Sequence, residues 1–309
     1  MAKNKYKIAV FTSGPPRYVN LVTERLNRVL SDVDWDVFIH LWKIDTGNKI
    51  RANSIFDYTK LVDNPKVKVI MVQNPYDDTV YKKRIGTKIN THSPTFAIMG
   101  MFLGVNFLSN FLELLPDYNS YTHILRLRTD CAILNDNFLN LLDFDKKVVT
   151  VSECYHIPSV WISDQIMFST VENFYYLWKF KDMNDIYDAF KKGLRNPEKT
   201  LEWRFTRDKS KKLRLNPSII QYKDFQNVYS PPKAGEPEWV NKLIEAKKFR
   251  QLFLEPQKYY NSEQVEKHLS SLKRARPNNR GNFLFAFSNT RFIKPLAKAK
   301  GALSRRYSR

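Results

Sequence analysis

The chain has 309 residues, a formal net charge of +20, and a residue content that is 43% hydrophobic and 14% aromatic. These proportions exclude a disordered or low-complexity protein and supply enough apolar surface for a packed core. Two cysteines, Cys131 and Cys154, make neither a disulfide framework nor a metal cluster and suit a reducing compartment.

The charge is unevenly spread. After Glu266 there is no acid, while twelve Lys and Arg residues follow, from Lys267 to Arg309. A basic tail of this kind attracts a polyanion, whether lipid headgroups, anionic glycan or nucleic acid. The plainer alternative is a solvated tail with no dedicated partner.

In chain order, the opening MAKNKYKIAVFTSGPPR has an apolar run of about six residues before Gly and Pro, which reads as a first strand rather than a signal peptide or span. Tyr6 to Ser13 is that strand. Gly14-Pro15-Pro16-Arg17 then turns into an amphipathic stretch (Leu21, Val22, Leu26, Val29), the start of a βα unit. Gly14 permits close backbone approach, and Arg17 near the helix start is placed to meet phosphate or a base. Neither a P-loop nor a GxGxxG pattern is present.

Trp35 to Trp42 is a second strand whose alternation puts Val37, Ile39 and Leu41 on one face and Phe38, His40 and Trp42 on the other. His40 and Trp42 fall at its carboxyl end, where a nucleotide base could stack; burial in the core is the competing reading. Lys43 to Val62 looks like a loop with a short helix, and Lys66 to Val72 is a third strand. Ser93-Pro94 caps an apolar helix that Pro116 stops, with Gly100 and Gly104 allowing close packing. Because Asn106, Asn110 and Glu113 interrupt it, this helix is not read as a span, and the chain is expected to be soluble and cytoplasmic.

Tyr121 to Leu134 is the central strand, ending in Arg128-Thr129-Asp130. Charged residues at the end of an apolar strand are costly to place unless something charged meets them. An Asp there can hold Mg²⁺ or Mn²⁺ alongside substrate phosphates; an Arg–Asp pair pinning the strand end is the structural alternative. Asn135 to Leu142 reads as a short helix and Lys147 to Glu153 as a strand. Ser163-Asp164-Gln165 leads into strand Ile166-Met167-Phe168. Asn173 to Lys192 and the segment opened by Pro197-Glu198 read as helical, Pro217 to Tyr222 as a strand, and Pro231 to Pro237 as a boundary. Helices separating strands by crossovers of this length predict an α/β fold, with a mainly parallel central sheet covered on both faces. The expected domains are residues 1–230 and a helical, strongly basic extension, 231–309.

Phe11 to Arg17, Asp36 to Trp42, Arg126 to Asp130 and Ser163 to Gln165, with a weaker echo at Pro197 to Leu201, together resemble GT-A-fold glycosyltransferases of surface-polysaccharide synthesis, in particular WavE-type lipopolysaccharide-synthesis enzymes of bacteria and large viruses. The likeness spans about residues 5 to 225. It implies a GT-A-like, Rossmann-like domain that moves a hexosyl or deoxyhexosyl group from a nucleotide-sugar to a glycan or lipid-linked acceptor. It further implies donor contacts from Ser13, Gly14, Arg17, His40, Trp42, Arg128 and Asp130, with Mn²⁺ or Mg²⁺ on Asp130. Arg128 stands where such enzymes carry the first Asp of an Asp-x-Asp motif, so Arg or Lys charge can share the metal's task. Asp164 is the expected general base in an inverting displacement, with Glu153 second. The basic tail is expected to touch the membrane face peripherally. The alternatives are a nucleic-acid-binding basic protein and a catalytically inactive GT-A-like interaction domain.

Overall fold

A computed structural model of the chain describes residues 5–43, 58–77, 79, 83, 95–153, 162–193, 196–228 and 236–275. The Ser93-Pro94 cap, Cys154, Pro231-Pro232 and the tail after Ala275 lie outside the described residues. In chain order the elements are β1 (Lys7–Gly14), α1 (Val19–Val29), β2 (Asp34–Trp42), α2 (Tyr58–Val62), β3 (Val67–Gln73), α3 (Thr95–Glu113), β4 (His123–Arg128), β5 (Cys131–Ile133), β6 (Val148–Glu153), β7 (Ile166–Thr170), α4 (Val171–Trp178), α5 (Met183–Lys192), α6 (Pro197–Thr206), β8 (Arg214–Ile220), β9 (Phe225–Asn227), α7 (Glu238–Glu245), α8 (Phe249–Leu254) and α9 (Ser262–Ala275). The chain divides into two compact units, Met1–Glu266 and Lys267–Arg309.

Seven strands form one sheet in the order β3-β2-β1-β4-β7-β6-β8. All run parallel except β7, which is antiparallel to both β4 and β6. The protein is therefore α/β with a mostly parallel central sheet. The inner strands β1, β2 and β4 are buried on both faces, which is why they read as continuous apolar runs. Pro217 is tolerated within β8 because that strand lies at the sheet edge and its register slips opposite Thr150–Ser152.

Each face of the sheet carries its own core. Ile8, Val10, Val37, Ile39, Leu125 and Leu127 point to one side, against α1, α7 and α8 through Leu26, Val240, Leu252 and Phe253. Ala9, Phe11, Phe38, Ile124 and Met167 point to the other, against α3, α4, α5 and α6 through Phe102, Val105, Phe174, Phe190 and Leu201. The strand alternation read at β2 holds. The segment expected as a helix at Asn135 to Leu142 is instead a 3₁₀ turn, Phe138–Leu141, and the aromatic stretch after Asn173 is two helices, broken after Trp178.

The segment Phe96–Glu113 of α3 is long and apolar enough to cross a membrane by length and composition, contrary to expectation (mean hydropathy 1.4). In this fold it lies on the sheet, with Ile98, Met99, Phe102, Val105, Leu108 and Leu112 buried. Gly100 and Gly104 set its distance. A Cβ at Gly104 would meet the His40 ring at 2.6 Å, and one at Gly100 would meet the Trp42 ring at 2.7 Å. Gly104→Ala is expected to lower stability by about 1–3 kcal/mol, the usual cost of overpacking against a ring that cannot retreat. Urea unfolding measures it, and a wild-type midpoint would mean that α3 stands off the sheet.

Candidate active site

The strand order makes the site. The chain lays β2 and β3 on one side of β1 and then returns to place β4 on the other, so the topological switch point lies between β1 and β4. Ligands of open α/β sheets bind in the crevice at that point, outside the carboxyl ends of the strands. The register puts Ser13 level with both His40 and Arg128 across three adjacent strands. Because β7 runs the opposite way, its amino end reaches the same rim: Leu127 pairs with Ile166, so Asp164 and Gln165 precede the strand beside Arg128. Glu153, the last residue of β6, ends on the rim as well.

At the switch point an acid is held between two arginines. Asp130 has no exposed surface. Its Oδ1 accepts from Arg128 Nε at 2.8 Å and its Oδ2 from Arg128 Nη2 at 3.0 Å, a side-on pair; Oδ2 also accepts from Arg17 Nη1. Arg17 reaches Asp130 from a strained backbone, with φ at +34°, a region that costs a non-glycine residue about 1–2 kcal/mol. Gly14, at φ +131°, has a conformation that L side chains rarely adopt. The two loops are tied directly by the Tyr18 amide, which donates to the Thr129 carbonyl at 3.2 Å. Behind them the buried Arg25 donates to the Ile133 carbonyl at 3.0 Å and pairs with Asp136 at 2.6 Å, fixing α1 to the segment after Asp130.

The second wall comes from α6. Asn196 caps this helix by accepting from the Lys199 amide, and Pro197 opens it. Arg204, buried near its far end, donates to the Tyr176 carbonyl at 2.8 Å and to the Lys179 carbonyl at 2.8 Å, fastening α6 to the end of α4. The first turn of α6 carries Glu198, which is buried within electrostatic reach of Asp164 and Arg128. Burial first, then the Asp164 carboxylate, push Glu198 up to about 8 against the pull of Arg128. Arg126, fully buried on the same face of β4, lies over the Trp178 ring at 4.4 Å and is pushed down to about 10 by burial, opposed by Asp164 and Asp130. Arg17, Arg126 and Arg128 thus gather with Asp130, Asp164 and Glu198, and Glu198 is shifted toward its neutral form. Ser13 Oγ and Gln165 Oε1, both on this rim, are buried without a hydrogen-bond partner among the described residues, as polar atoms of ligand sites often are.

Of the residues singled out in the sequence, Ser13, Gly14, Arg17, Arg128, Asp130, Asp164 and Glu153 fall on this rim. His40 and Trp42 do not open onto it. His40 has no exposed surface and Trp42 almost none, because α3 covers both at its glycines; burial pushes the His40 imidazole down to about 4. Base stacking on these two rings is therefore corrected to core packing, for the space above them is filled by α3. Asp36, from the same motif, serves the opposite end of the sheet, where it accepts from the Tyr121 hydroxyl at 2.7 Å and pairs with Lys7 at 3.2 Å. Glu198 and Arg126 lie within motifs noted in the sequence but are given no site role there. An acid in a first helical turn after Asn-Pro looks like ordinary helix-dipole compensation, and nothing local marks it as facing another carboxylate.

As a metal ligand Asp130 does not fit: both oxygens accept from guanidinium groups and the carboxylate is buried. Among the described residues no group of three His, Cys, Asp or Glu could hold a metal ion.

No protein-family model matches the sequence, and no curated protein matches it. Several solved structures are similar in chain path. The galactosyltransferase LgtC, solved with donor and acceptor sugar analogs, aligns at 10% identity and TM-score 0.43 over 89% of this chain and 99% of its own. A Drosophila β-1,4-galactosyltransferase 7 mutant, in complex with manganese, UDP-Gal and xylobiose, aligns at 12% identity and TM-score 0.31 over 72% of this chain and 71% of its own. The glycosyltransferase GlyE of Streptococcus pneumoniae TIGR4 aligns at 12% identity and TM-score 0.36 over 68% of this chain and 45% of its own. At these scores the architecture stands on its own strand order.

The raised Glu198 has a consequence for stability. Unfolded, this carboxyl titrates near 4.5; folded, it keeps its proton up to about 8. Between those values the native state binds more protons than the unfolded chain, so stability falls as pH rises through the window, by up to about 1.4 kcal/mol per pH unit from this group. Glu198→Gln is expected to match the wild type near pH 5 and to exceed it near pH 8. Denaturant midpoints across that range read the difference, and parallel curves would place Glu198 in an ordinary solvated setting.

Proposed function

We propose that the protein is a GT-A-like glycosyltransferase that moves a sugar from a nucleotide-sugar donor to a glycan or lipid-linked acceptor. The observation carrying this reading is the meeting, at the switch point of the sheet, of an Arg17–Asp130–Arg128 cluster with the carboxylates of Asp164 and Glu198. Displacing a sugar from a nucleoside diphosphate makes two demands. The departing diphosphate needs its growing negative charge neutralised, and the incoming hydroxyl needs a base. Both kinds of group stand on this rim.

In the proposed step the donor lies across Gly14 and Ser13 with its diphosphate toward Arg17 and Arg128. An acceptor hydroxyl approaches the anomeric carbon from the opposite face. The new C–O bond forms as the bond to the diphosphate breaks, the hydroxyl proton passes to Asp164, and the nucleoside diphosphate leaves; the anomeric configuration inverts. Glu153 is the second candidate for the base. Neutral Glu198 keeps a second negative charge away from the proton acceptor and can donate a hydrogen bond to a sugar oxygen. A hexosyl or deoxyhexosyl donor, a role in surface-polysaccharide synthesis of the WavE kind, a cytoplasmic location and peripheral membrane contact through the basic tail belong to the same proposal, supported by the sequence motifs and the tail charge.

Asp164→Asn tests it. The full chain is first given UDP-, GDP-, dTDP- and CMP-sugars in a thermal-shift panel, because a ligand preferring the native state raises the midpoint. With the donor so found, the Asn variant is expected to retain donor binding while transfer, followed by release of nucleoside diphosphate, falls by roughly 10²- to 10⁴-fold, the usual worth of a general base. Transfer at the wild-type rate would remove Asp164 from the chemistry, and no shift with any donor would remove the transferase reading.

A further inference from the structure

We propose that Arg17, Asp130 and Arg128 form a guanidinium clamp that binds the diphosphate of the donor directly, in the place where a divalent cation would otherwise be held. This deepens the transferase reading and rests on it. Three observations lead there.

The first is the state of Asp130. Its carboxylate accepts from Arg128 at 2.8 and 3.0 Å and from Arg17 as well, and it is sealed from solvent. A cation taking either oxygen would break charge-assisted bonds and leave two guanidiniums facing a dication across a short, poorly solvated gap. The ion that Asp130 would recruit has already been supplied, as arginine side chains.

The second is the loop after β1. Backbone amides after a first strand commonly cradle phosphate, but Pro15 and Pro16 have no N–H to offer. Beyond Arg17, the Tyr18 amide is spent on the Thr129 carbonyl and the Val19 amide on the Pro16 carbonyl at 3.0 Å. With these amides missing or spent, charge neutralisation at this turn falls largely to side chains, and the cation of the loop is Arg17, held against Asp130.

The third is the geometry of Arg128. Its Nε–Nη2 edge is committed to Asp130, which turns the Nη1 edge away from the carboxylate, and its side chain is 23% exposed where Asp130 is sealed. Asp130 is the positioning residue: one buried carboxylate holds two like-charged groups side by side. Arg126, buried behind Arg128 on the same face of β4, adds positive potential. A planar fork suits the oxygens of a diphosphate.

The experiment is titration calorimetry of the full chain with UDP, GDP, CDP and dTDP, each in excess EDTA and again with added Mn²⁺. The clamp predicts that the preferred diphosphate binds equally well in both. It also predicts that Arg17→Ala and Arg128→Ala each weaken binding roughly 10- to 100-fold. Asp130→Asn, isosteric but uncharged, is expected to weaken it as well with the fold intact by circular dichroism. Arg128→Lys, which keeps charge but loses the fork, should recover only part of the loss. Binding that appears with Mn²⁺ and vanishes in EDTA would overturn the clamp while leaving sugar transfer standing. Metal-free binding that depends on both arginines, without transfer to any acceptor, would support the clamp and overturn the transferase reading instead. Absence of binding in both conditions would overturn the two together.

Discussion

The structure turns on one carboxylate between two guanidiniums. Asp130 sits without solvent at the end of the central strand, and its charge is tolerable there only because Arg128 and Arg17 meet both oxygens. Neither arginine would stand where it does without the acid. Arg17 occupies a backbone region that disfavours side chains, and Arg128 ends a strand whose preceding residues, Arg126 among them, are buried. The bond from the Tyr18 amide to Thr129 and the anchoring of Arg25 behind the turn make the loops after β1 and β4 one mechanical unit. That unit lies where the chain, having grown outward to β3, returns to the other side of β1.

The reversal of β7 completes the arrangement. In a wholly parallel sheet the rim collects only the residues after the carboxyl end of each strand. A single antiparallel strand delivers the residues before its amino end, here Ser163-Asp164-Gln165, to the same edge as Arg128. The wall opposite is held by a helix fastened at its far end, where Arg204 satisfies the last carbonyls of α4, so the first turn of α6 brings Glu198 within reach of Asp164. Burial and the neighbouring Asp164 carboxylate favour the neutral form of Glu198. The proposed sugar transfer uses that division between a carboxylate that accepts a proton and one that already holds it.

Particular residues show how much of this was legible beforehand. The Arg128-Thr129-Asp130 ending stands out because three polar residues interrupt an apolar run, and the Gly-Pro-Pro-Arg turn because it breaks one. Their shared rim followed from the expectation of a parallel sheet. His40 and Trp42 had the right position along their strand but the wrong environment. Strand alternation says which face a side chain takes, not whether a helix covers that face, and the covering by α3 depends on Gly100 and Gly104 some sixty residues away. Glu198 carried no local mark, since its meaning lies in its distance from Asp164.

The sequence by itself determined the set of elements and the order of their polar endings. Periodicity, breakers and caps are local properties that act within a few residues. Only the tertiary structure decided the pairing: that Arg17 and Arg128 converge on one acid, that Glu198 faces Asp164, and that α3 seals two rings inside. Those relations join residues far apart along the chain, and their energies depend on burial and separation in space, which no local pattern encodes.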